Sequence, residues 1–145
     1  VSSASDAQDA PEERMTDLFD SRTKKQIAIE RLRHFEREAL AMHPDGYYLA
    51  FSGGKDSQTI YHLAKEAGVR FTAHFNWTTV DPPEVLRFIR ENYPDVIRER
   101  PPLSMFQLIV KKRMPPTRIA RYCCEQLKER GGTGRFVITG IRWQE

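Results

Sequence analysis

The sequence predicts an α/β protein, a three-layer α/β/α arrangement around a mostly parallel sheet, and three observations lead there. Short aromatic and apolar runs alternate with stretches whose apolar residues recur every three or four positions, the pattern of strands joined by helices. The chain has 145 residues, 39% of them apolar, enough for one core and short for two. The first strand-like run breaks into Ser52-Gly53-Gly54-Lys55-Asp56-Ser57 and then reads as helix, the kind of junction that a crossover in a parallel sheet requires.

Residues 1–20 are small, polar and acidic, and are expected to be a disordered or foreign leader before a single domain over 21–145. From Ser21 to Met42, the positions Ala28, Leu32, Phe35, Ala39 and Met42 share one helical face. "HPDG" ends that helix, and "YYLAFS" has the content of a buried strand. After the glycines, Ile60, Leu63, Ala64 and Ala67 form a second stripe closed by Gly68. "VRFTAHF" is the next strand. In "DPPEVLRFIRENYP", Asp81 suits a cap, the prolines a first turn, and Val85, Phe88 and Ile89 a helical face. "DVIRER" reads as a short strand and "LSMFQLIVKK" as a short helix. "PPTRIARYCCEQLKER" reads as a longer helix closed by Gly131 and Gly132, and "RFVITGI" as the last strand.

No apolar run approaches the roughly 20 residues needed to span a bilayer, and no secretory pattern is visible, so a cytoplasmic protein without membrane contact is expected. The cysteines, Cys123 and Cys124, are adjacent, which argues against a disulfide framework. The net charge of +3 is unevenly spread: seven basic residues face one acid between Arg98 and Arg121, while the first 20 residues carry six acids and one arginine. One basic quarter in a mixed-charge chain points to an anionic ligand rather than to wholesale coating of nucleic acid, although a solvated face accounts for it equally well.

The junction at 52–57 carries the chemistry. In open parallel sheets ligands bind beyond the carboxyl ends of the strands, where turns lead into helix N-termini. Gly53 and Gly54 allow close backbone approach, the first helical amides make an anion site, Lys55 adds a mobile cation, and Ser52 and Ser57 supply hydroxyls. Asp56 beside a phosphate needs backbone donors or a metal cation to hold it there. The ordinary nucleotide P-loop is excluded, because Leu49 stands where its first glycine belongs and Asp56 where its hydroxyl belongs.

Placed between strand and helix, "SGGKDS" resembles the pyrophosphate-binding loop of the adenine nucleotide alpha hydrolase-like superfamily, which includes ATP pyrophosphatases and the phosphoadenosine phosphosulfate (PAPS) reductase family. "FNWTTVDPPEVLRFIRENYPDV", "MPPTRIARYCCEQLKERGG" and "FVITGIRWQE" look like parts of PAPS-reductase-like proteins, so the resemblance covers about residues 21 to 145. The intact loop points to ATP, since true PAPS reductases carry a degenerate version. The resemblance implies that Ser52, Gly53, Gly54, Lys55, Asp56 and Ser57 cradle pyrophosphate, with Mg²⁺ on the leaving group and attack on the α-phosphate. It also implies that Gly140 and Arg142, with Thr139 beside them, face the anionic end of the ligand, making Lys55, Asp56 and Arg142 the catalytic candidates. Such proteins usually continue with a serine and a further arginine past the point corresponding to Glu145, which implies truncation at the C-terminus.

Cys123 and Cys124 read either as two ordinary helix cysteines or, by the resemblance, as half of an iron–sulfur cluster set in a longer parent protein. His34, His43, His62 and His74 show no metal spacing and read as structural. Phe75 and Trp77 follow the second strand, where the superfamily often places adenine, but read first as core. The leading expectation is a domain that binds ATP with Mg²⁺ and acts in sulfur or nucleotidyl transfer onto a small, sulfur-containing or other acceptor. The alternatives are a PAPS reductase fragment, with Arg142 and the basic 111–121 segment on the sulfonucleotide, and a noncatalytic module that binds a partner or DNA.

Overall fold

The computed structural model describes residues 16–17, 20–128 and 131–141; most of the expected leader, and Arg142 with the rest of the C-terminus, lie outside them. Thr16–Asp17 (β1) and Asp20–Thr23 (β2) pair antiparallel. Thr23 then opens Lys24–Met42 (α1) with a capping box: its hydroxyl accepts from the Gln26 amide, and the Gln26 side chain accepts from the Thr23 amide at 2.8 Å. Four strands form the main sheet, Tyr47–Ala50 (β3), Phe71–Asn76 (β4), Ile97–Glu99 (β5) and Val137–Ile138 (β6), in the order β5-β4-β3-β6 and all parallel. Lys55–Ala67 (α2), Pro83–Asn92 (α3), Met105–Lys112 (α4) and Tyr122–Leu127 (α5) complete the described elements. None of the described helices is long and apolar enough to cross a membrane.

Residues alternate across β3, so Tyr47, Leu49 and Phe51 point to one face and Tyr48 to the other. The first face joins Tyr61, Ala64 and Ala67 of α2, Ile89 of α3, and Tyr93 and Val96 beyond it in a single core. Tyr47 also donates its hydroxyl to the Leu32 carbonyl of α1 at 2.7 Å, tying that helix to the sheet. On the second face Tyr48 stacks on His74 with ring centroids 4.2 Å apart, and Asn76 donates to the Lys128 carbonyl just after α5. Burial on both sides explains why β3 reads as a continuous apolar run.

Four expectations change in detail. The α1 stripe is only partly used: Ala39 is buried, but Phe35 and Met42 are 39% and 52% exposed. Asp81 does not cap α3; its carboxylate accepts from the Thr78 amide and hydroxyl, closing a turn, and Pro82 takes the cap position. The long helix expected from Pro115 onward shrinks to Tyr122–Leu127. Thr117 bonds Ala120 through both backbone and hydroxyl, an alternative to helix, and the fully exposed Ile119 gives a helix nothing to bury. Gly131 and Gly132 pack on the Tyr48 ring rather than capping that helix: a Cβ on Gly131 would fall 1.9 Å from the Tyr48 hydroxyl oxygen.

Candidate functional site

From β3 the chain runs in one direction, through β4 to β5, and then returns to the other side of β3 as β6. The direction therefore switches between β3 and β6, and in open parallel sheets ligands bind beyond the carboxyl ends of the strands at such a switch. Two separate sequence motifs arrive there. After β3 come Phe51 and the turn Ser52-Gly53-Gly54; Lys55, Asp56 and Ser57 are already the first turn of α2, with Gly54 as its cap residue. After β6 comes Thr139-Gly140, and a Cβ on Gly140 would lie 3.0 Å from the Asp56 carbonyl carbon and oxygen and 3.2 Å from the Ser57 nitrogen. Gly140 thus lies against the first peptide units of α2, although 83 positions separate it from Ser57. Of the pair expected to face an anionic ligand, Gly140 is thus placed beside the turn, and Arg142 lies outside the described residues.

The turn is organised by its own hydroxyls and amides. Ser57 donates to the Gly54 carbonyl at 2.8 Å, Ser52 donates to the Ser57 oxygen at 3.2 Å, and the Gly54 amide approaches Ser52 Oγ at 3.4 Å. The first intrahelical bond runs from the Gln58 amide to the Gly54 carbonyl, so the amides before it belong to the donor-rich opening of the helix. Gly53 stands at φ +79°, in the left-handed region, and a Cβ there would meet Ile89 at 3.3 Å and Val85 at 3.4 Å. Lys55 and Asp56 are exposed at the mouth. Together these groups present dipole, cation and carboxylate at one helix start, a combination suited to a phosphate chain carrying a divalent cation.

Beside the turn lies a hollow of about 190 Å³ along the ends of β3 and β4, lined by Ser52, His74, Asn76, Thr78, Asp81 and the backbone around Phe75, with Lys128 at its edge. His74 is buried there, its Nδ1 2.6 Å from a Glu99 carboxylate oxygen and its Nε2 2.9 Å from Thr72 Oγ1. An ionised Glu99 only accepts, so Nδ1 carries a proton. Phe75 belongs to the core, and Trp77 is half-buried with the Arg100 guanidinium 5.2 Å above its ring. His74, Asn76, Thr78 and Asp81 went unmarked as pocket residues in the sequence, although Thr72, His74 and Asn76 alternate along β4 as one polar face.

The other candidates sit apart from this site. Cys123 and Cys124 are free, half-buried thiols on α5, and Arg121 Nη2 lies 3.6 Å from Cys124 Sγ. With Pro116, Thr117 and Arg118 they line a wide surface hollow of about 610 Å³. Two thiols are half of a four-cysteine cluster set, and among the described residues no three His, Cys, Asp or Glu side chains gather as a metal site. His62 reaches the Tyr93 hydroxyl and His43 faces Asp45, contacts within the fold rather than toward that site. No family model, curated protein or solved structure matches this chain.

Proposed function

We propose that this chain is an adenine-nucleotide-binding domain that holds ATP at the Ser52–Ser57 turn and cleaves it between the α- and β-phosphates, in the manner of the PP-loop proteins that its sequence resembles. The observation that carries the reading is the meeting of Ser52–Ser57 with Gly140 at the β3/β6 switch point, where an open parallel sheet binds its ligand. The same reading takes the sheet as the middle of a three-layer α/β/α fold.

In this reading the amides that open α2 receive the phosphate oxygens and Lys55 moves onto the charge that develops on the leaving pyrophosphate. Gly140 lets β6 close against the first peptides of α2, which keeps the end of that strand beside the turn, and the His74–Asn76 hollow takes the nucleoside. Asp56 would be the carboxylate on Mg²⁺, which takes one or two carboxylates along with substrate phosphates; the ion would supply charge neutralisation for the leaving group. An acceptor atom bonds the α-phosphorus as the α–β bridging bond breaks and pyrophosphate departs. Acceptors in sulfur or nucleotidyl transfer fit this chemistry. The two thiols of α5 do not complete an iron–sulfur set, and no step runs through one.

The test is calorimetric titration with ATP plus Mg²⁺ and, separately, with PAPS, for the wild type and Lys55→Ala. ATP binding that weakens about tenfold or more in the variant, with the melting temperature unchanged because Lys55 is exposed, is the expected result. Tighter binding of PAPS than ATP would move the chain to the sulfonucleotide reductases. Binding of neither, with salt-steep DNA binding instead, would favour a noncatalytic module.

A further inference from the structure

We propose that Gln58 is a positioning residue that locks the peptide between Gly53 and Gly54, and that Tyr93 and His62 lock Gln58; the role for phosphate rests on the reading of this turn as a nucleotide site. Gln58 Nε2 donates to the Gly53 carbonyl at 2.8 Å. The Tyr93 hydroxyl donates to Gln58 Oε1 at 3.1 Å, and the same hydroxyl oxygen lies 3.2 Å from His62 Nε2.

The directions of these bonds follow from chemistry. A carbonyl oxygen can only accept, so the amide nitrogen of Gln58 must face Gly53, and its oxygen must face Tyr93. Tyr93 has one hydroxyl proton, committed to Gln58, so His62 Nε2 carries the proton that reaches the Tyr93 oxygen. The chain is therefore directional, from His62 through Tyr93 and Gln58 to the backbone. Its anchor is firm, because Tyr93 is buried with its ring 4.8 Å from Phe51 and 5.1 Å from Tyr61.

What the lock accomplishes follows from the planar peptide. The carbonyl of Gly53 and the amide of Gly54 belong to one trans unit and point in opposite directions. Holding the carbonyl toward Gln58 holds the amide toward Ser52 Oγ and the mouth of the turn. Between two glycines such a plane flips at little steric cost, so the sequence that lets the backbone approach a phosphate also leaves its donor unaimed. Gln58 removes that freedom.

Three substitutions separate this role from packing. Gln58→Leu keeps a good helix former but loses both bonds; Gln58→Glu keeps the acceptor for Tyr93 but sets an anion against the Gly53 carbonyl; Tyr93→Phe keeps the buried ring and removes the hydroxyl. In ligand-free protein, ¹⁵N relaxation dispersion at the Gly54 amide should be silent in the wild type and report exchange in both Gln58 variants. Affinity for Mg²⁺·ATP should fall about tenfold in the two Gln58 variants and about threefold in Tyr93→Phe, on the scale of one lost hydrogen bond, while adenosine affinity stays unchanged. A silent Gly54 with ATP affinity within twofold of wild type in all three variants would overturn the lock alone. Wild-type protein that binds neither Mg²⁺·ATP nor pyrophosphate would overturn the phosphate reading and the role built on it, while the Gly54 exchange would still decide whether the lock exists.

Discussion

Gly140 and Gly53 do different work although both are glycines at the start of α2. At Gly53 the constraint is conformational: φ +79° costs any other residue roughly 1–2 kcal/mol before its Cβ meets Ile89. At Gly140 the constraint is space, since a methyl group would press on the Asp56–Ser57 peptide at 3.0 to 3.2 Å, against helix backbone that cannot swing aside like a side chain. Gly140→Ala should therefore push β6 and α2 apart where the turn begins. We expect a loss of about 1–3 kcal/mol in urea unfolding, the scale of overpacking, together with weaker ATP binding. Unchanged stability would mean that the two motifs do not touch. Exposed Lys55 should behave oppositely, affecting the ligand while leaving the fold alone.

Among the elements, α4 buries little of itself and carries a clear local signal. It buries Leu108 and leaves Phe106 and Val110 70% and 76% exposed, so its ends depend on capping. Ser104 accepts from the Gln107 amide, and the Gln107 side chain accepts from the Ser104 amide at 2.8 Å, a reciprocal box. Ser104→Ala should cost about 1 kcal/mol, read as faster hydrogen exchange confined to α4 amides while β3 and β4 keep their protection. Equal loss across the sheet would show that α4 unfolds only with the whole. The helix was legible because its signal is local. The same holds for β3, the glycine turn and α2, where an apolar run, two glycines and the Ile60–Ala67 stripe follow one another. The segment before α5 misled because paired prolines open helices and turns alike, and only the solvent around Ile119 decides between them. Gln58 left no trace in sequence, since a glutamine that grips backbone five residues earlier is indistinguishable by type from one that faces water.

At the scale of the whole molecule, tyrosines join the layers, and their titration should set the alkaline limit of the fold. Burial, reinforced by Glu36 and Glu38, pushes the Tyr47 phenol up to about 12. Tyr48 and Tyr61 are also raised, in each case chiefly by burial, with Glu99 adding to the first and Asp95 to the second. A raised value means that the folded state keeps the proton more firmly than the unfolded chain does. The associated stability is fully present below the ordinary phenol range near pH 10 and is lost as pH rises through the folded values, toward 12 for Tyr47. Lys65, raised by Tyr61 and by Asp95 3.3 Å away, contributes with the same sign. Tyr47→Phe removes one of these groups and also the hydroxyl that reaches Leu32, so two effects must be separated by pH. At pH 7 the variant should be less stable by about 1 kcal/mol for the missing hydrogen bond. Between pH 10 and 12 its urea midpoint should fall less steeply than that of the wild type, because the phenol that has to ionise is gone, while Tyr48 and Tyr61 preserve part of the decline. Parallel declines in the two proteins would place the alkaline transition at Tyr48 or in the Tyr61–Lys65–Asp95 cluster between α2 and the turn before β5, and whichever of Tyr48→Phe and Tyr61→Phe flattens it would say which.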